Sequence, residues 1–390
     1  MQIDSSHQKT IGEVQKILFR TFVKCIQDKK PMRSYMLWGS PGIGKTWAMK
    51  WLASALRDHL KVEVKDRVFL TSVYEPFDIG GVLFEDKETH KYCKYLPPQW
   101  AYEASIECET FSGPMLLCFD DIVAAQESTM NALFKVVDER MVGDLPFRDN
   151  VMLMAAGNYI EDNAGASEMN TALANRFRHL WVKVDHKEWI LWAISYGIQS
   201  LISGFINKTP SLLHKFNPAS AEKAFPTPRS WHNVSDLLSE VISVDPLTWA
   251  NEILNLESEI IGIVGRDAGL MFTTYSQGIV GVLSPEEIIS SPKTVKIPTS
   301  LDAQYISTVN LIQYLEMSKD ILHKGFDPTL QFISRDDLIM DLGVSVALQT
   351  MKLAVKDDKL GTEFMDSPGW ADFSNRFGRY LTLPQIVNAH

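Results

Sequence analysis

Cysteine is scarce in this chain. There are four in 390 residues, Cys25, Cys93, Cys108 and Cys118. None stands in C-x-x-C spacing, so neither a zinc site nor a disulfide framework is indicated. Long apolar runs are missing as well. No stretch of about 18 or more apolar residues could cross a bilayer, and the first residues do not read as a secretory leader. The expectation is a cytoplasmic chain with no membrane contact. Positive charge is in deficit: 38 basic against 48 acidic side chains leave a net charge of −10. A general nucleic-acid binder carries the opposite balance, although a local basic loop is compatible with this one. No internal repeat or low-complexity tract stands out.

What remains is ordinary for a folded protein: 45% hydrophobic and 22% charged residues, in a length that suits about two to three domains. Within it one stretch carries chemistry. Gly39-Ser40-Pro41-Gly42-Ile43-Gly44-Lys45-Thr46 is a full G-x-x-x-x-G-K-T phosphate loop. The apolar run Tyr35-Met36-Leu37-Trp38 before it reads as a strand, and Trp47 to Leu56 after it reads as a helix. Glycines let successive backbone N–H groups turn inward around phosphate oxygens, and the helix N-terminus adds partial positive charge. Lys45 is placed to reach the β- and γ-phosphates of ATP, and the Thr46 hydroxyl to bind Mg²⁺.

Two further strands complete the pattern. Met115-Leu116-Leu117-Cys118-Phe119 is a continuous apolar run, as expected for a parallel strand buried on both faces. It ends in Asp120-Asp121, at the edge where open α/β sheets gather ligand-binding groups. Asp120 is the candidate for holding Mg²⁺, Asp121 for polarising the attacking water. Cys118 reads as a small core residue. Val151 to Ala156 is a third apolar run and ends at Gly157-Asn158. The Asn158 amide could bond the γ-phosphate or the attacking water.

With these motifs in this order the chain resembles an AAA+ ATPase, and within that superfamily the MoxR group of bacteria and phages. Besides the loop, Cys118-Phe119-Asp120-Asp121 and Ala155-Ala156-Gly157-Asn158, the resemblance rests on four more segments. They are the helix ending Asp138-Glu139-Arg140, Leu173-Ala174-Asn175-Arg176-Phe177, Phe225-Pro226-Thr227-Pro228-Arg229-Ser230-Trp231, and the stretch from Glu75 to Trp100. It implies an α/β fold: an AAA+ P-loop αβα sandwich with a parallel sheet, then an all-α lid and a helical C-terminal extension. The expected domains are residues 1–186 with a hairpin insertion near 74–100, then 187–298, then 299–390. It implies a homo-oligomer, a hexameric ring with ATP between neighbours. Arg176 is expected as an arginine finger supplied in trans, with Arg178 as the second candidate. Arg229 is expected as a second sensor acting in cis from the lid. The segment before the phosphate loop is expected to touch adenine. Members of the group are often paired with a separate von Willebrand factor A domain protein and act on a protein substrate. A nucleic-acid translocase or loader on the same core is the alternative, and a nucleotide-gated structural ring with little turnover is a third reading.

One position departs from the family's usual Asp-Glu. Asp121 is one methylene shorter than glutamate, which moves the carboxylate by roughly 1 Å and can cost about a hundredfold in rate. Glu127 lies six residues on and does not easily substitute for it from the following helix. Elsewhere the expectations concern packing. Val14, Ile17, Leu18, Phe22 and Cys25 recur at helix spacing. Val82 to Leu96 reads as two short strands around a polar turn, with a second hairpin at Met141 to Asp149. Phe84, Tyr92 and Tyr95 are expected to pack against the domain, with gripping of a polypeptide as the alternative. Lys87, Lys91 and Lys94 read as solvated charge, with single-stranded nucleic acid as the alternative. Helices are expected at Glu188 to Phe205, Ser230 to Val241, Asn251 to Gly262, from Pro285, at Asp302 to Lys319 and at Leu338 to Val355. Trp189, Trp192 and Tyr196 share one helix face, as core residues do. Ser290 to Pro298 reads as a linker.

Overall fold

A computed structural model of the chain describes residues 7–88, 90–162, 168–220, 222–241 and 249–378. Its centre is a six-stranded, all-parallel sheet in the order β1-β10-β2-β9-β6-β3. The strands are β1 (Gln8–Lys9), β2 (Tyr35–Trp38), β3 (Lys65–Leu70), β6 (Met115–Asp120), β9 (Val151–Gly157) and β10 (Arg178–Val182). Between them run two antiparallel hairpins, β4 (Val82–Glu85) with β5 (Cys93–Leu96), and β7 (Met141–Val142) with β8 (Leu145–Pro146).

Both faces of the sheet are covered, and the side-chain alternation of a strand shows it residue by residue. Leu117 and Phe119 of β6, Leu153 and Ala155 of β9 and Met36 of β2 enter one core. Leu116, Cys118, Met152, Met154, Tyr35 and Leu37 enter the other. This is why β6 and β9 are unbroken apolar runs rather than alternating ones. On the second face lie α1 (Ile11–Gln27) and α2 (Lys45–Leu60), the first through Val14, Leu18 and Phe22, the second through Met49, Leu52, Ala53 and Leu56. Thr10 and Glu13 close a capping box at the start of α1, which fixes where that helix begins. On the first face lie α3 (Pro76–Gly80), α4 (Gln99–Ala104), α5 (Glu127–Asp138) and α6 (Thr171–Ala174), with Trp100, Met130, Leu133 and Leu173 buried. Each fully buried Phe or Leu of this kind contributes about 1.5–3 kcal/mol. The α/β P-loop fold expected from the sequence is what forms.

The chain divides into two compact units. The first holds residues 1–185, 216–221 and 227–229, and the second holds 186–215, 222–226 and 230–390. The second unit is helical: α7 (His186–Tyr196), α8 (Ser200–Lys208), α9 (Pro228–Val241, its first residues counted with the first unit), α10 (Trp249–Asn255), α11 (Glu257–Val264), α12 (Arg266–Gln277), α13 (Pro285–Ser290), α14 (Leu301–Glu316), α15 (Lys319–Ile333), α16 (Met340–Ala354), α17 (Asp358–Met365) and α18 (Pro368–Phe377). Phe205, Trp231 and Phe272 meet edge-on or tilted in its interior. Helix α14 packs against α8, α15 and α16.

Several expected helices are shorter than the periodicity suggests. Residues 188–205 split into α7 and α8 because Gly197 turns left-handed at φ 88°. The span 251–262 breaks at Leu256 between α10 and α11. Lys319 opens α15 rather than closing α14, since Ser318 caps the new helix by accepting from the Ile321 N–H. Tyr196 is not a core residue. It is half exposed and stacks on Trp192 at 4.8 Å, with the His232 ring edge-on against both.

Candidate phosphate-loop site

The carboxyl ends of β2, β9 and β6 lie side by side, with Trp38 opposite Gly157 and Phe119 opposite Ala155. That alignment delivers three segments to one place. The phosphate loop leaves β2, Asn158 follows β9, and Asp120 ends β6. Gly42 and Gly44 in the loop take φ 76° and 101°, a region side chains avoid. Gly42 is doubly constrained, since a Cβ there would sit 2.7 Å from Thr227 Oγ1.

Lys45 is 7% exposed, and its ammonium is held on three sides. Nζ donates to the carbonyls of Gly39 at 2.6 Å and Ser40 at 3.0 Å, and to Asn158 Oδ1 at 2.9 Å. Burial pushes its pKa down to about 8; Asp120, Asp121 and Asp162 oppose the shift and Arg229 adds to it. One residue on, the Thr46 hydroxyl donates to Asp120 Oδ2 at 2.5 Å. The other Asp120 oxygen accepts from the backbone N–H of Asp121 at 3.1 Å. Thr46 and Asp120 thus present hard oxygen donors together. No group of three or more His, Cys, Asp or Glu side chains among the described residues could hold a metal. A pair of this kind suits Mg²⁺, which keeps water and nucleotide oxygens as its remaining ligands.

Asp121 has a left-handed backbone, φ 50° and ψ 38°, between β6 and the turn that follows. Its carboxylate accepts from Asn158 Nδ2 at 3.2 Å. Burial raises its pKa and the negative Asp120 beside it raises it further; Lys45, Arg229 and the Asn158 bond pull the other way. A carboxylate raised toward neutrality is better suited to take a proton from water. Lys45, Asn158 and Asp121 therefore form one chain of bonds, the amide accepting from the ammonium and donating to the carboxylate.

The two arginines are placed differently. The backbone N–H of Arg229 donates to the Gly42 carbonyl at 3.2 Å, and its exposed side chain is felt electrostatically by both Lys45 and Asp121. Arg176 follows α6 and bonds to none of the loop residues. It pairs with Asp138 at 3.2 Å and lies over the Phe134 ring at 4.7 Å. Arg178 begins β10 and reaches the Tyr35 hydroxyl at 3.4 Å. Arg140 is structural. Its guanidinium donates to the carbonyls of Met32, Arg148 and Val151, tying the end of α5 to the start of β9.

Some neighbours of the site carry no sequence signal. Asp162 stands in the turn beyond Asn158 and makes a long 3.5 Å contact with the Ser40 hydroxyl. Trp38 donates its indole N–H to His179 Nδ1 at 2.8 Å. An indole can only donate, so the Nε2 of His179 carries the proton and donates to the Ala174 carbonyl at 2.9 Å. This links the strand before the loop to the helix before Arg176. Asp162 and His179 lie in no recognisable spacing, and only the tertiary fold brings them to the loop and to the strand before it.

Every residue of β4 and β5 is exposed, while Asp86 in the turn between them is buried. Phe84, Tyr92 and Tyr95 do not pack into the domain interior as expected; they are 38%, 52% and 46% exposed. Tyr95 lies against Gly143 in the turn of the β7–β8 hairpin, where an added Cβ would sit 2.8 Å from its own, and the Lys94 ammonium lies over the Tyr92 ring at 5.7 Å. Lys94 pairs with Asp86 at 3.2 Å.

No family model matches the chain. Over 182 residues, 43% of its length, it is 28% identical to the chaperone protein ClpB of Mycoplasma pneumoniae, and the match spans 23% of that protein. A RuvB variant of Thermotoga maritima is similar at 13% identity over 76% of this chain and 84% of its own, with a TM-score of 0.35. The ORC2 protein of Aeropyrum pernix is similar at 12% identity over 92% and 96%, with a TM-score of 0.36. At such identities, coverage and TM-scores none of them bears on what this chain acts on. Among the described residues no helix is long and apolar enough to cross a membrane.

Proposed function

We propose that the chain is an AAA+ ATPase of the MoxR kind, which forms a ring and uses ATP to remodel or activate a partner protein. The observation that carries the reading is the convergence of Lys45, Thr46, Asp120, Asp121 and Asn158 at the ends of three adjacent strands. The roles follow from chemistry. The loop amides of Gly39 to Thr46 and the Lys45 ammonium bind the phosphates. Thr46 and Asp120 hold Mg²⁺, which neutralises charge on the phosphate oxygens. Asp121 takes a proton from the attacking water, and Asn158 holds the Asp121 carboxylate at one end and the Lys45 ammonium at the other. Arg229 sits beside the loop in cis. Arg176 bonds to Asp138 and Ala172 and, among the described residues, to none of its own loop, which suits a group meant for a neighbour's nucleotide.

The ring is read as a cytoplasmic hexamer, and the partner as a protein with a von Willebrand factor A domain. The exposed aromatics of β4 and β5 suit contact with a polypeptide. Residues 187–298 are read as the lid and 299–390 as an extension. The alternative is a nucleic-acid translocase or loader on the same core, which Lys87, Lys91 and Lys94 would serve.

The deciding experiment mixes two dead proteins. Lys45→Ala subunits keep a finger and lose the loop; Arg176→Ala subunits keep the loop and lose the finger. Mixtures that co-assemble should recover part of the hydrolysis, and mixtures that co-assemble and stay dead overturn the ring reading. Binding to single-stranded DNA that weakens steeply with salt would favour the alternative.

A further inference from the structure

Arg176 is held at three points on its own chain. Its Nε lies 3.2 Å from Asp138 Oδ1, its Nη1 donates to the Ala172 carbonyl at 3.1 Å, and its guanidinium lies over the Phe134 ring at 4.7 Å. Asp138 is the last residue of α5 and Phe134 stands one turn before it, so the two share a helix face. Ala172 belongs to α6. Two helices of different origin therefore fix one guanidinium plane. The pair is not a core feature: the Arg176 and Asp138 side chains are 32% and 39% exposed. Ion pairs that open to solvent do little for stability. What this one does is remove rotamer freedom from a long side chain. With Nε and Nη1 engaged, Nη2 is the donor that makes no bond among the described residues.

We propose that Asp138, together with Phe134, is a positioning residue for Arg176. It holds the guanidinium so that the Nη2 edge meets an anion on a neighbouring copy of the chain, the transferring phosphoryl group of bound ATP. The inference rests on the ring reading above and adds to it a residue that acts only through the finger. Among the described residues Asp138 makes no bond to the phosphate loop of its own subunit; its partner is Arg176. Its effect should therefore follow the subunit that gives the finger, not the subunit that gives the loop.

The test uses full-length chains and takes the mixture of Lys45→Ala with Arg176→Ala as its reference. Adding Asp138→Ala to the Lys45→Ala chain alters the only working finger, and hydrolysis should fall roughly ten- to a hundredfold, the cost of a misplacement of about 1 Å. Asp138→Asn keeps an acceptor oxygen for Nε and should lose less. Phe134→Leu in the same chain should fall in the same direction, so the result does not hang on one variant. Adding Asp138→Ala to the Arg176→Ala chain removes support from a finger already absent and should move the rate by less than about twofold. A second readout is capture of ADP with aluminium fluoride, which should fall in step with the rate while ATP affinity of the Arg176→Ala subunits is unchanged. Equal rates in the reference and the finger-side mixture overturn the proposal. So does a loss that appears whichever subunit carries Asp138→Ala, or a rate that rises. A reference mixture that co-assembles by light scattering and hydrolyses nothing fails earlier, and takes the ring reading with it.

Discussion

Asn158 Oδ1 accepts from Lys45 Nζ at 2.9 Å while its Nδ2 donates to Asp121 at 3.2 Å, so one amide joins the phosphate-binding cation to the candidate base. The amide cannot be turned round without setting its NH₂ against the ammonium and its oxygen against the carboxylate. Asn158→Leu keeps the bulk and removes both bonds, so Asp121 loses the donor that orients it while Lys45 keeps its charge and its two carbonyl partners. Turnover should fall about ten- to a hundredfold with ATP affinity changed far less. Steady-state hydrolysis with calorimetric titration of the nucleotide separates the two, and an unchanged rate would remove Asn158 from the mechanism.

Lys45→Ala removes the charge that faces the phosphates. Nucleotide affinity should drop by about a hundredfold or more, since charged hydrogen bonds of this kind contribute about 1.5–3 kcal/mol each. Affinity within about threefold of the native protein would sink the phosphate-loop assignment.

A pH dependence follows from the Lys45 pKa, which burial pushes down to about 8. Phosphate oxygens favour the charged ammonium, so the pKa is higher when nucleotide is bound. Below pH 8 the group is protonated in both states and affinity is flat. Above it, binding must take up a proton, and affinity should fall by up to about tenfold per pH unit. Calorimetry at pH 9 in two buffers of different ionisation enthalpy reads that proton directly. Proton release in place of uptake would contradict the assignment.

Asp121 sits at φ 50°, a conformation that Asp and Asn tolerate better than other side chains. Asp121→Asn should keep fold and ATP binding and lower turnover. Asp121→Glu should lower turnover too. Asn158 already closes on the shorter side chain, and glutamate in a left-handed backbone costs about 1–2 kcal/mol. Hydrolysis at saturating ATP and thermal melting check both. Three equal rates would free Asp121 of any part in the chemistry.

Gly42→Ala meets two obstacles, the left-handed φ of 76° and Thr227 Oγ1 at 2.7 Å. Thr227→Gly clears the second and leaves the first, since the Thr227 Cβ is itself 2.8 Å from the added methyl. The double variant should therefore recover part of the nucleotide affinity that Gly42→Ala loses. Full recovery would mean that backbone strain at Gly42 is unimportant, and no recovery that Thr227 is.

What could be read from residues alone was whatever a short stretch encodes. The phosphate loop, β6 and β9 are such stretches, because a parallel strand buried on both faces must be a continuous apolar run. β3 escaped because Lys65, Asp66 and Arg67 give it the composition of a surface segment, and β10 because it begins Arg178-His179. The split of α7 from α8 at Gly197 escaped because helical periodicity continues across the break. The exposure of Phe84, Tyr92 and Tyr95 could not be read either. A strand's apolar residues do not say whether another layer covers them. Arg176 was legible as a candidate; the grip of Asp138 and Phe134 on it depends on where α5 ends in space.

The sheet's two margins set a limit on how copies can join. One margin is β1, two residues long. The other is β3, where Lys65, Asp66 and Arg67 follow one another, Asp66 paired with Arg57 and Lys65 with Glu103. A stub and a charged rim are poor templates for adding a strand. Copies of this chain are thereby steered away from edge-to-edge growth, the route by which open sheets run on into fibrils.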